Sequence, residues 1–171
     1  SFDFRYYKDI YIVKTNLNGA ALWQKTHGNE YLEKGTDILA KESGGYIIAG
    51  EKCDHGYNIS SCDNRAKIIL LEIDEDGNPN QETVLNNLYF FEAGSPISIS
   101  NTSNGGYAFV SKPKNNGYTW FYKWGQNENS IDLKLENAGY GGESIEMSYD
   151  GGFIIGTSGS IILKTDQELN F

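Results

Sequence analysis

The sequence predicts an all-β fold: a β-propeller, or an arc of one, built from four-stranded antiparallel blades, with about three and a half repeats in the chain. Three observations carry this. Gly44-Gly45-Tyr46, Gly105-Gly106-Tyr107 and Gly151-Gly152-Phe153 are one motif written three times, 61 and then 46 residues apart, each running into apolar β-formers. Between them recurs a second element, an apolar run that ends in a turn signal and is followed by a return strand. No window shows sustained helical periodicity with capping residues.

The elements follow in order. Ile10–Thr15 runs into Asn18-Gly19, and Ile68–Ile73 runs into Asp76-Gly77. Asn-Gly and Asp-Gly suit a two-residue hairpin turn, so each run is expected to fold back, onto Leu22–Thr26 and Gln81–Leu85 respectively. The third copy is degenerate: Trp120–Trp124, a longer connection, then Ile131–Leu135, which alternates apolar and polar as a half-buried strand does. A fourth copy begins at Ile161–Thr165. Ahead of each glycine pair stands one more short strand, Asp37–Ala40, Pro96–Ile99 and Ser144–Met147. The unit is therefore strand a, the Gly-Gly turn, strand b, and the hairpin c–d. The expected repeats are approximately 1–35 (partial), 36–90, 91–136 and 137–171 (partial), together one propeller domain or part of one. A helical turn is expected at 29–34. An arc leaves open edges, which further blades of the same protein or another chain would close.

Composition bounds the partners. The net charge is −9, from 14 basic and 23 acidic residues, which argues against a duplex-binding surface that must displace counterions from phosphates. An anionic membrane surface is disfavoured for the same reason. No segment is long and apolar enough for a transmembrane helix. Hydrophobic residues make up 39% and aromatics 13%, enough to bury a core.

The string Asp9 to Gly28, with its Lys14, Asn18-Gly19 and Trp23, followed by Gly44-Gly45-Tyr46-Ile47-Ile48-Ala49-Gly50, resembles the bacterial and archaeal extracellular β-propeller repeat. That repeat reads as an acidic residue, an apolar strand ending in Lys, an Asn-Gly or Asp-Gly turn, a Trp, a Gly-rich stretch, then Asp-Gly-Gly-Tyr and a Val/Ile strand. The likeness is strong over 9–51, fair over 66–112 and weaker over 119–165. The second repeat has Glu72 in place of the Lys and lacks the Trp; the third lacks the hairpin Asn-Gly. The resemblance implies rings of several blades, often seven, an extracellular setting, and a structural place for Trp23.

Few residues suggest chemistry. Cys53 and Cys62 are the only cysteines and bracket an insertion between strands b and c. They could form a disulfide, join His55 as metal ligands, or stay free. The metal set lacks a fourth ligand and the usual Cys-x-x-Cys clip, so a disulfide and an oxidising compartment are expected. Closing so short a loop contributes roughly 2–3 kcal/mol. Asp74-Glu75-Asp76-Gly77-Asn78 has calcium-loop character but no EF-hand glutamate, and reads as a hairpin turn. Asn58-Ile59-Ser60 and Asn101-Thr102-Ser103 match the N-glycosylation pattern, at a level expected by chance. His27 and His55 have no nucleophile beside them in sequence, and no phosphate-binding loop leads into a helix. No catalytic residue, metal or cofactor is assigned.

The functional expectation is a non-catalytic extracellular or cell-envelope binding and scaffold module. Its loops at 52–65 and 113–118 would present His55, Tyr57, Asn115, Asn116 and Tyr118 to a protein or glycan partner. The glycines 44, 45, 105, 106, 151 and 152 are expected to be structural turns. Two other readings stand beside it: a glycan-cleaving hydrolase or lyase with paired carboxylates near the propeller channel, and a spacer in a surface adhesin or filament.

Overall fold

A computed structural model of the chain describes residues 8–29, 32–53, 62, 66–85, 97–111, 119–125, 128–136, 141–168 and 170. Among the described residues every regular element is a strand: β1 Ile10–Thr15, β2 Ala21–His27, β3 Leu32–Ala40, β4 Tyr46–Cys53, β5 Ala66–Ile73, β6 Pro79–Leu85, β7 Ile97–Asn101, β8 Tyr107–Ser111, β9 Thr119–Gly125, β10 Glu128–Glu136, β11 Gly142–Met147, β12 Phe153–Thr157 and β13 Ile162–Thr165. They form four antiparallel meanders, β1-β2, β3-β4-β5-β6, β7-β8-β9-β10 and β11-β12-β13. Each is a propeller-type blade or part of one. The three strands led by Tyr46, Tyr107 and Phe153 each take the second place in their own sheet, as strand b should.

The chain divides into two compact units, Ser1–Tyr89 and Phe90–Phe171. In the first, the β1-β2 blade packs its inner face on the β3–β6 blade. The alternation of a strand puts Ile10, Ile12 and Trp23 on one side and Ile48, Ile69, Leu71 and Ile73 on the other. In the second unit, Ala108, Val110 and Phe121 of one blade meet Ile145, Phe153 and Ile155 of the next. Each fully buried Ile or Phe contributes roughly 1.5–3 kcal/mol relative to exposure, so these two face-to-face cores are what hold adjacent blades together. Hydroxyls finish the second contact: Ser98 Oγ and Ser100 Oγ of β7 accept from the backbone N–H of Ile145 and Met147, at 3.3 and 2.9 Å. Two N–H groups on the outer edge of β11, in its three-stranded sheet, are thereby partnered by side chains of the neighbouring blade.

One turn recurs at nearly every described hairpin. The Asn16 N–H donates to Ala20 C=O at 2.9 Å, and Gly19 N–H donates back to Asn16 C=O at 3.0 Å. The same pair of bonds joins Lys41 with Gly45 and Gly44, Asp74 with Asn78 and Gly77, Thr102 with Gly106 and Gly105, and Ser148 with Gly152 and Gly151. The fourth residue of each turn has a positive φ: 80° at Gly19, 89° at Gly44, 78° at Gly77, 80° at Gly105 and 83° at Gly151. This is the three-residue loop, a β-turn followed by one left-handed residue, and not the expected two-residue turn. Either two-residue form needs a left-handed residue at its first central place, and Asn18 and Asp76 are not left-handed. The first residue is chosen for its side chain: Asn16 and Asp74 Oδ1 accept from the N–H groups two and four places on. A bulge then leaves Leu22 and Asn80 unpaired where β2 and β6 begin.

The second glycine of the Gly-Gly motif has a different task. A Cβ on Gly45 would lie 2.3 Å from Ile73 C=O, and one on Gly152 would lie 2.0 Å from Thr165 C=O. In both cases strand c ends directly against the a–b turn, where no side chain fits.

The helical turn expected at 29–34 is not found at its described end. Leu32, Glu33 and Lys34 are extended and pair with Cys53, Lys52 and Glu51. The polar composition read as a helical turn belongs to a strand whose alternate residues face two different surroundings. Strand β3 therefore opens four residues ahead of the repeat start expected at 36.

Candidate functional site

Three side chains of the first blade hold the c–d turn of the second. Trp23 Nε1 and Lys14 Nζ both donate to the Glu75 carbonyl, at 2.9 and 3.2 Å, and Lys25 Nζ donates to Asn78 Oδ1 at 3.3 Å. Lys14 also lies 5.4 Å over the Tyr46 ring, which meets Trp23 edge-on with centroids 6.5 Å apart. Gly77 rests on the indole, where a Cβ would come within 2.9 Å. In the second unit Lys123 Nζ donates to Gln167 C=O at 2.8 Å, the same use of a c-strand lysine. The lysine and tryptophan of the repeat thus fasten one blade to the turn of the next.

Beside this clamp is a cleft of about 510 Å³. Its walls are the outer strands of neighbouring blades: Lys25, Thr26 and His27 of β2, and residues 77–82 from the turn into β6. Ile10 and Leu71 form an apolar patch, and Glu33 closes the inner end. The cleft lies where β2 and β6 are each last in their sheets, with no described strand between them.

Glu33 arrives there by strand alternation. It lies opposite Lys52, on the face of the second blade that carries Ile48 and Ile69. It is 2% exposed. The Lys52 ammonium hydrogen-bonds Glu82 at 2.8 Å and stands 3.6 Å from Glu33 Oε1, outside hydrogen-bond reach. Among the described residues, both Glu33 oxygens and Nε2 of His27 are buried without a hydrogen-bond partner. Burial pushes the Glu33 carboxyl above its ordinary range; the Lys52 charge and the nearby Asn29 amide oppose this, while Asp9 and Glu82 add to it. Burial draws Lys52 down, but the hydrogen bond and charge of Glu82, with the Glu33 charge, outweigh it and leave the ammonium raised.

The other buried carboxylate, Glu51, belongs to a different place. It is the neighbour of Lys52 along β4, so it points from the opposite face of the sheet. Glu33 and Glu51 therefore do not face one another. Among the described residues no cluster of three or more His, Cys, Asp and Glu side chains is arranged to hold a metal ion.

The structure joins Cys53 to Cys62, with Cα atoms 5.9 Å apart. The bridge ties the end of β4 to Cys62, four residues before β5 begins, and both residues are buried. The glycines 44, 45, 105, 106, 151 and 152 lie in the a–b turns. His55, Tyr57, Asn115, Asn116 and Tyr118 lie outside the described residues. Glu33, Lys52, Glu82 and His27 were not singled out together by sequence reasoning. A signal was present in Gly50-Glu51-Lys52-Cys53, where charge interrupts a buried strand, but the partners of that charge come from other strands.

No family model matches the chain, and no curated protein matches it. Among solved structures it is similar to YCF48 bound to D1 peptide, with 10% identity and a TM-score of 0.37, over 87% of this chain and 57% of that one. The chain spans little more than half the length of that structure. No described helix is long and apolar enough to cross a membrane.

Proposed function

We propose that the chain is a non-catalytic recognition module of an oxidising compartment, outside the cell or in its envelope, and that the cleft between β2 and β6 receives an extended segment of a protein partner. The observation that carries this reading is the pair of outer strands flanking the cleft. Among the described residues each has one ladder of backbone groups without a strand beside it, the arrangement to which an extended peptide adds. The lining favours a peptide over a glycan: among the described residues that form it there is no Trp, Tyr or Phe on which a sugar ring could stack. The opposite facing of Glu33 and Glu51 gives no support to a hydrolase with paired acids. The disulfide supports the compartment, since such bridges persist where thiols are not kept reduced.

The test is to pan a random-peptide display library against the purified chain, with a glycan array run in parallel, and to map any binder by hydrogen exchange. Enriched peptides that protect β2 and residues 77–82 are the expected result. Glycan binding alone, or protection confined to other strands, overturns the reading.

A further inference from the structure

Resting on that reading, we propose that the inner end of the cleft is a receptor for one guanidinium group, an arginine side chain of the bound segment. Among the described residues, three buried atoms there find no hydrogen-bond partner: both oxygens of Glu33, and Nε2 of His27, which accepts when the proton is on Nδ1. A buried acceptor left without a donor costs free energy on the scale of a lost hydrogen bond. The ligand that relieves all three brings several donors and no acceptor. Guanidinium has five N–H donors in a planar fork and accepts nothing.

Geometry narrows the choice further. The two open oxygens belong to one carboxylate, so the fork can meet them side by side. Lys52 does not do so, because its short contact is with Glu82. Charge agrees: Asp9, Glu33 and Glu82 act together at this end, against Lys52 and Lys25. Lys25 is tied to Asn78 on the outer wall. Three carboxylates against two ammonium groups leave room for one more cation. Ile10 and Leu71 offer the apolar surface along which an arginine stem lies while its head is held. An ordered water is the competing occupant, and it would satisfy the same atoms with no preference for charge.

The experiment is a two-dimensional NMR titration of the intact oxidised chain with N-acetyl-arginine amide and, separately, N-acetyl-citrulline amide, which has nearly the same shape and no charge. The expected result is saturable shifts at His27, Gly28 and Asn29 with the arginine derivative, and binding at least tenfold weaker with citrulline. Glu33→Gln should weaken the arginine derivative at least tenfold, while Glu42→Gln, on an exposed turn, should leave it unchanged. The ligand comparison uses the unaltered protein, so it stands even if Glu33→Gln fails to fold. Equal binding of the two probes, or no binding of either, overturns the proposal. If library peptides without arginine nevertheless protect β2 and residues 77–82, only this proposal falls. If no peptide binds there at all, the broader reading falls with it.

Discussion

Gly45 and Gly19 have almost the same backbone conformation, with φ of 78° and 80°, yet alanine should have very different consequences at the two sites. At Gly19 an added Cβ meets nothing within 4 Å. Gly19→Ala therefore carries only the left-handed penalty, roughly 1–2 kcal/mol, partly offset by about 0.4–1 kcal/mol from a less flexible unfolded chain. The expected net loss is about 1 kcal/mol. At Gly45 the same Cβ would lie 2.3 Å from Ile73 C=O, held by the β4–β5 ladder, and 3.1 Å from Asp74 Cα, held by the turn that follows. Ordinary contact for such a pair is about 3.4 Å, so the strands must part by about 1 Å where Tyr46 pairs with Ile73. Forcing extra atoms into a packed site costs typically about 1–3 kcal/mol, bringing the expected loss for Gly45→Ala to about 2–4 kcal/mol. Urea unfolding followed by tryptophan fluorescence, with linear extrapolation, measures both. Equal losses at the two sites would show that the paired glycine is kept for its conformation alone, and the close-approach argument would be wrong.

Four further outcomes are expected. Trp23→Phe keeps most of the ring but removes the donor to Glu75 C=O, and should cost about 1 kcal/mol in urea unfolding; no measurable loss would show that the indole hydrogen bond is not part of the clamp. Reducing Cys53–Cys62 reopens a short loop and should lower stability by about 2–3 kcal/mol, while the oxidised chain should weigh two hydrogens less than the reduced one by intact mass. Glu33 has a raised folded pKa, so the native state holds its proton more tightly than the unfolded chain does. Its penalty is absent below the ordinary carboxylate pKa and grows as pH rises through the raised one; the stability of Glu33→Gln relative to the parent should therefore rise from pH 4 towards pH 7, and a flat difference would refute this. Asp150 is held well below the carboxylate range by hydrogen bonds from Lys164, Ser148 and the Gly152 amide, and Asp74 is lowered by Asn78. Both should stay ionised by NMR titration at pH values where ordinary aspartates protonate, and what they add to stability is present above the ordinary pKa and lost as pH falls through the lowered one.

The architecture was legible because its signals are local. Paired glycines, apolar runs and the Asn-Gly and Asp-Gly turns each act within a few residues, and their order alone implies an a–b–c–d meander. The turn type was less so: Asn18-Gly19 suits two hairpin loops, and the choice depended on Asn16 Oδ1 reaching two backbone N–H groups. The place of Trp23 was legible only through resemblance. Its physical cause, a carbonyl 52 positions away, is not a property of neighbouring residues.

By itself the chain determined that it would be all-β, where its strands would turn, and which two cysteines could meet, because hydrophobic alternation and glycine conformations are written residue by residue. Only the tertiary structure decided that Gly45 and Gly152, the second glycines of two of the pairs, make way for a neighbouring strand's carbonyl. It alone decided that Glu33, from a segment that looked like a polar turn, would be buried beside Lys52 with its oxygens open to a cleft. Burial and unmet hydrogen bonds arise from what other strands bring alongside, and no reading of one strand at a time contains them.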